Sequence, residues 1–263
     1  GRGRVKRKEI DIGDGWTVVT HSTSSRNRHT NPRNKTPATI DSRPTQIVSE
    51  LTAQKLEAEL SKMKQQWKTT TCAQQLAELL GKRNWDVNSA VCIGIGSFSL
   101  DWEHRKRSLW QLVLFLAILD LISPHPQTIN LYAQDPVFTT LDRAFLQNLS
   151  IAVSTSNIET FIKTSSWVFA PFVDWHLLLP VFLRDRDPVL YVGNEVLEDY
   201  GRFGRADVEI GDGKDGKRGK GTVVEECGRI GRAWLGRREV ARVPEFGLHG
   251  DALQGLVVCW RKE

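Results

Sequence analysis

The sequence predicts an α/β protein of the Rossmann-like, three-layer kind. Its mostly parallel central sheet should hold about five or six strands, and a helical extension precedes it. Three observations carry that prediction. Short, nearly continuous apolar runs rich in β-branched residues recur between positions 90 and 192, which is how strands covered on both faces read. Helical patterns separate them, as crossovers between parallel neighbours require. Gly, Asn, Asp or Pro follows most of the apolar runs, where strand-to-helix loops belong.

The helical extension runs from Ile47 to about Lys82. Ile47, Leu51, Leu56 and Leu60 recur at helical spacing, Ser49 is placed to cap, and Thr69–Cys72 divides the segment. The second helix, Ala73–Leu80, should close at Gly81 in the left-handed conformation. Ala90–Ile95 then reads as the first strand and Ser108–Ile122 as a long apolar helix ended by Pro124 and Pro126. Ile129–Ala133 is a second strand, Phe138–Leu149 a helix, Ser150–Ser154 a third strand and Trp167–Ala170 a fourth. Trp175–Phe182 is a helix, Val189–Val192 a fifth strand ending at Gly193-Asn194, and Leu256–Trp260 a closing edge strand.

Two segments fall outside that alternation. Residues 1–46 hold ten basic and four acidic side chains and little apolar periodicity, so they read as a disordered basic tail with a short strand at 15–20. Residues 201–242 hold eleven basic and seven acidic side chains, and 201–236 contain ten of the 21 glycines, which predicts a flexible Gly-rich charged insert. The α/β domain is thus expected over 47–200 and 243–263. Residues 47–200 carry a net charge of −4, so the pI of about 9.1 belongs to the tail and the insert. A nucleic-acid-binding core would carry its basic residues on a folded face. Nucleic acid is therefore expected to be a partner only through the tail, where Arg2, Arg4, Lys6, Arg7 and Lys8 cluster.

The composition narrows the classes further. With 263 residues and 40% hydrophobic content the chain can build a large core. The longest apolar stretch, Leu109–Ile122, is broken by Gln111 and Asp120, so no membrane span is expected. The basic N-terminal residues have no apolar stretch behind them, unlike a secretory signal. Cys72, Cys92, Cys227 and Cys259 lie far apart, with no CxxC pair and no neighbouring histidine. They read as reduced thiols of a cytoplasmic or nuclear protein, with no metal site.

Several residues are candidates for chemistry. Gly94-Ile95-Gly96-Ser97 follows a strand and precedes a helix, where glycines let a backbone approach a ligand and a helix N-terminus favours anions. Ser99 stands where a third glycine would be and no P-loop lysine follows, so a plain tight turn competes with a nucleotide loop. Asp135 ends the second strand, where doubly wound folds place the carboxylate that holds a ribose hydroxyl. Capping of the helix Phe138–Leu149 is the alternative. Asp174 and His176 form a candidate acid–base pair without an evident nucleophile, and two polar residues opening a helix would look the same. Asn194 ends the fifth strand and is either a ligand contact or a turn residue. In a parallel sheet Gly94–Ser97, Asp135, Pro171–Asp174 and Gly193-Asn194 all follow strand C-termini and share one rim.

Four segments, in this order, resemble one family. They are Cys92–Phe98, Arg107 through Gln111-Leu112 to Leu116, Tyr132–Phe138 with Leu141-Asp142, and Leu190–Asn194. The family is the Sensitivity to Red Light Reduced proteins, or SRR1-like domain proteins, and the chain looks like a fungal-type member. Trp16-Thr17-Val18-Val19 behind a basic stretch is similar to the family's N-terminal segment. The resemblance covers about 85–200 and the closing strand, leaving the insert and the tail outside. It implies a Rossmann-like domain of unsettled molecular activity, with regulatory roles linked to light signalling and circadian timing in plants and to other regulatory or housekeeping processes in fungi and animals. Many relatives have a Pro-His-Cys-like turn where this chain reads Pro171-Phe172-Val173, which weighs against an enzyme.

The resulting expectation is a regulatory protein, non-catalytic or binding a cryptic ligand, with protein partners and room for a small-molecule ligand. A transferase that uses a nucleotide or S-adenosylmethionine at the Gly94–Phe98 loop and Asp135 is the main alternative. Nucleic-acid binding through the tail is a third class.

Overall fold

The computed structural model describes residues 6–11, 17–22, 46–102, 104–123, 125–203 and 220–262. β1 (Lys6–Asp11) and β2 (Thr17–Ser22) pair antiparallel as a separate two-stranded sheet. The expected lone strand at 15–20 is thus shifted to 17–22 and has a partner, which takes in Lys6, Arg7 and Lys8 of the basic cluster. The rest of the expected tail lies outside the described residues.

The helical extension is two helices, divided at the break the sequence predicts. In α1 (Ala53–Lys68) Leu56, Leu60, Met63 and Trp67 line one buried stripe at spacings of three and four. Its cap is Thr52 rather than Ser49, with the Thr52 hydroxyl accepting from Lys55 N–H at 3.2 Å. Thr70 caps α2 (Thr71–Leu80) in the same way. Gly81 is right-handed at φ −72°, not left-handed, and its N–H continues the helical pattern with a bond to Ala77 O.

The alternation that follows is β3 (Ser89–Ile93), α3 (Arg105–Ile122), β4 (Asn130–Gln134), α4 (Thr140–Asn148), β5 (Ile151–Val153) and β6 (Ser166–Ala170). A short α5 (Trp175–Leu177) then continues as a π-helical turn, Leu178–Leu183, into β7 (Leu190–Asn194). α6 (Lys220–Leu235), β8 (Arg238–Arg242) and β9 (Leu256–Arg261) complete the described chain. Seven strands, rather than the five or six expected, form the main sheet in the order β5-β4-β3-β6-β7-β9-β8, because the segment read as an insert supplies β8. The five from β5 to β7 are parallel, and β9 runs antiparallel to both β7 and β8.

Helices cover both faces, and the strand period of two sorts the side chains between them. Cys92, Trp167, Phe169 and Val192 point into one core with α1, α2, α3 and α4. Val91, Ile93, Val168 and Tyr191 point into the other, against the Leu178–Leu183 turn and α6. β3 is central. The chain lays β4 and β5 on one side of it, then returns to lay β6 and β7 on the other. Among the described residues no helix is long and apolar enough to cross a membrane.

Two further expectations are overturned. Leu256–Arg261 is not an edge strand, since it is inserted between β7 and β8. The flexible insert expected over 201–242 does not hold from residue 220 onward, where α6 and β8 form; 204–219 lie outside the described residues. Cys227, Ile230 and Trp234 recur at helical spacing and are 0%, 5% and 1% exposed. One of the glycines that suggest disorder instead allows close packing: a Cβ on Gly231 would sit 2.1 Å from Leu197 O. Arg238 enters β8 buried, with its guanidinium donating to Pro188 O and Asp187. An α6 so anchored makes Trp234→Ala costly, by ~3–5 kcal/mol. Chemical denaturation should show that loss, whereas a flexible insert would leave the midpoint unchanged.

Candidate functional site

The strand order reverses at β3, so the switch point falls between the C-terminal ends of β3 and β6, the position at which open α/β sheets take ligands. β3 leaves the sheet through Gly94 at φ 69° and Gly96 at φ 82°, a region that favours glycine. Space reinforces the requirement at Gly96, whose Cβ would lie 2.7 Å from Ser108 Oγ and 3.1 Å from the Trp102 ring.

Asp135 fixes this turn from the end of β4. Its Oδ2 accepts from Gly96 N–H at 2.7 Å, and its Oδ1 accepts from Val137 N–H at 3.0 Å. The carboxylate therefore joins two rim loops and does not cap α4. Burial pushes the Asp135 carboxyl up to about 6, assisted by the nearby Asp142 charge and opposed by the Val137 and Gly96 N–H donors. Such a perturbed acid at a switch point is a candidate functional group.

The cap of α4 is Thr139, which forms a reciprocal box with Asp142. Asp142 has 0% exposure, and its carboxylate also accepts from Ser97 Oγ at 2.6 Å and from Phe98 N–H at 3.0 Å. Ser97 in turn accepts from Ser99 and Leu100 N–H. Ser97 is thus fully buried and occupied with holding the loop. Thr139 and Asp142 support the site without being among the candidates for chemistry, although Asp142 falls in a segment that carries the family resemblance. Their one local signal is the Thr-x-x-Asp spacing of Thr139-Thr140-Leu141-Asp142, which marks a capping box and says nothing of the loop it holds.

Asn194 fastens the other side of the switch point. Its Nδ2 donates to Val173 O at 3.0 Å, and its own carbonyl accepts from the Tyr191 hydroxyl at 2.9 Å. In the Pro171-Phe172-Val173 turn, Phe172 lies under the Arg107 guanidinium at 4.3 Å and Val173 is buried. Both positions that depart from the Pro-His-Cys pattern therefore pack. Asp174 opens α5 with its backbone carbonyl, which accepts from Leu177 and Leu178 N–H. His176 is half-buried edge-on to Trp175, and its Nδ1 has no hydrogen-bond partner. Asp174 and His176 thus sit together at the start of α5, on the β6 side of the rim.

The cysteines offer no nucleophile to this site. All four are buried and free, and burial pushes Cys72 up to about 11 and Cys227 and Cys259 to about 12. Cys92 is raised well above its usual value by burial and by the Asp135 charge. A thiol held protonated is a poor nucleophile. Among the described residues no group of three or more His, Cys, Asp or Glu is arranged to hold a metal ion.

A family model described as the SRR1 domain matches residues 54–238, which is more than half of the chain, so the chain belongs to the SRR1 domain family. The match includes α6 and the start of β8, which the resemblance read from the sequence leaves outside. Membership suggests a regulatory role in general. No curated protein matches the chain.

Two predictions concern the carboxylates. Asp142→Ala strands three donors and removes the box, and should cost ~3 kcal/mol or more in denaturant unfolding, with Asp142→Asn in between. For Asp135 the raised value means that the folded protein keeps a proton which the unfolded chain releases between about pH 4 and about pH 6. Stability from this group is therefore full below that window and is lost as pH rises through it. Melting curves of wild type and Asp135→Asn should diverge in favour of wild type by ~2–3 kcal/mol on going from pH 7 to pH 4.

Proposed function

We propose that this SRR1-domain protein is a regulator that works by binding rather than by turnover, with a Rossmann-like domain whose functional surface is the rim at the C-terminal ends of β3, β4, β6 and β7. The observation that carries this reading is the direct fastening of the rim loops to one another. Gly96 is held by Asp135, and Val173 by Asn194, so the surface between them is shaped before any ligand arrives. Gly94, Gly96 and Ser97 supply the backbone turn. Asp135 uses two of its ~four lone-pair sites internally and keeps capacity for a hydroxyl donor, while Asn194 Oδ1 remains an acceptor. The raised cysteine thiols support a binding role over thiol catalysis. Signalling or circadian-type regulation in the cytoplasm or nucleus, through protein partners, is the setting that the family resemblance implies.

The strand order favours one other reading. Its parallel strands, numbered along the chain, lie 3-2-1-4-5, as in doubly wound nucleotide-binding sheets. A nucleotide- or S-adenosylmethionine-dependent transferase would use the same rim, with Asp135 on the ribose.

A thermal-shift screen with S-adenosylmethionine, NAD, NADP and ATP tests both. A ligand at 100 times its Kd stabilises by ~2.7 kcal/mol. For a binding role, one of the four raises the Tm of wild type, fails to do so in Asp135→Asn, and is recovered unchanged. Conversion of the ligand during incubation would establish the transferase instead. Silence from all four would shift the binding role to protein partners alone.

A further inference from the structure

A cavity lies at the end of the sheet opposite the rim, where the chain enters β7. It measures about 340 Å³ and is walled by the Leu183–Asp187 loop on one side and by the C-terminal half of α6 on the other. That size suits a small ligand. On α6, Arg229 and Ala233 lie one turn apart with Ile230 and Trp234 beside them, and Arg237 follows in the turn between α6 and β8. The small Ala233 leaves open floor between two long cationic side chains.

The charges around this cavity are unbalanced. Four arginines line it (Arg184, Arg186, Arg229 and Arg237) against two carboxylates, Asp185 and Asp187. Asp187 is already engaged by the buried Arg238. Arg186 donates only to the carbonyls of Glu159, Val181 and Arg184, which leaves its positive charge without a carboxylate. Arg184 pairs with Glu226 through its terminal nitrogen. Arg229 and Arg237 are exposed.

The unmet hydrogen-bonding groups here are donors. Among the described residues Arg184 Nε and the indole Nε1 of Trp234 are both buried without an acceptor, and Trp234 is 1% exposed. A ligand that brings acceptor oxygens and negative charge would answer both shortages. The negative end of the α6 dipole opposes an anion here, but an end-of-helix dipole is weaker than the charge-assisted bonds that guanidinium groups form.

We propose that this cavity is a binding site for a phosphate-bearing small molecule, separate from the rim. Arg229 from α6 and Arg237 from the turn after it clasp the phosphate, Trp234 Nε1 and Arg184 donate from the wall, and Leu183, Ile230 and Ala233 receive an apolar or ring portion. Because β7 runs from this cavity to Asn194, occupancy here bears on the strand that ends at the rim.

Titration of the full chain with inorganic pyrophosphate, phenyl phosphate and succinate tests the assignment, read by calorimetry and by the Trp234 indole N–H resonance in NMR, which Trp234→Phe identifies. The expected result is saturable binding of the two phosphates that moves the Trp234 resonance and weakens by about tenfold or more in Arg229→Gln/Arg237→Gln, as the loss of charge-assisted bonds implies. Both substituted side chains are exposed, so the variant should keep its fold, and its melting curve checks that. Equal binding by wild type and the double variant, a Trp234 resonance that stays in place, or a preference for succinate would each overturn the proposal.

Discussion

The buried carboxylate of Asp142 is the constraint from which the rim of this protein is organised. It sits in the first turn of α4, yet it binds the Ser97 hydroxyl and the Phe98 N–H of the loop that follows β3. A carboxylate at 0% exposure is tolerable only where donors surround it, and here every donor comes from the loop or from the α4 cap. The loop conformation and the helix start are therefore one structural event. Asp135 adds to this arrangement from the neighbouring strand, accepting from Gly96 N–H one residue before Ser97.

The two ends of the sheet differ in how their polar groups are satisfied. At the rim, hydrogen bonds run between loops: Gly96 to Asp135, Ser99 to Thr139, Asn194 to Val173. At the other end, guanidinium groups dominate, and Arg186 and Arg238 serve as rivets that bind backbone carbonyls from neighbouring segments. A rim built from short side chains is shaped mainly by backbone, whereas an end built from arginines keeps donors and positive charge to spare. The contrast follows from residue type, since Asp, Asn, Ser and Thr reach only adjacent loops while Arg reaches across elements.

The parallel core is legible in the sequence because its signals are local. Val91, Ile93, Val168 and Tyr191 sit in runs that no exposed strand would carry, and the break between α1 and α2 is visible at Thr69. The rim positions follow from topology once the strands are parallel. What is not legible depends on long-range contact. Gly228 and Gly231 look like disorder until Leu197 and Glu198 are seen to pack within reach of the helix backbone, and Arg238 looks like a solvated charge until Asp187 and Pro188 receive it. Asp135 can be placed on the rim from sequence, but its bond to a residue 39 positions earlier cannot be read from spacing.

The insertion of β9 between β7 and β8 has a consequence for the order in which the chain can assemble. During synthesis β7 and β8 emerge first, and neither can reach the other in the sheet, because the strand that joins them is made last. Until residues 256–261 arrive, β7 presents an open apolar edge and α6 can dock only on an incomplete layer. Completion of the sheet is therefore a late step of non-local contact, slow relative to the local α1–α2 pair, and the interval before it is when the nascent protein is most exposed to wrong pairing.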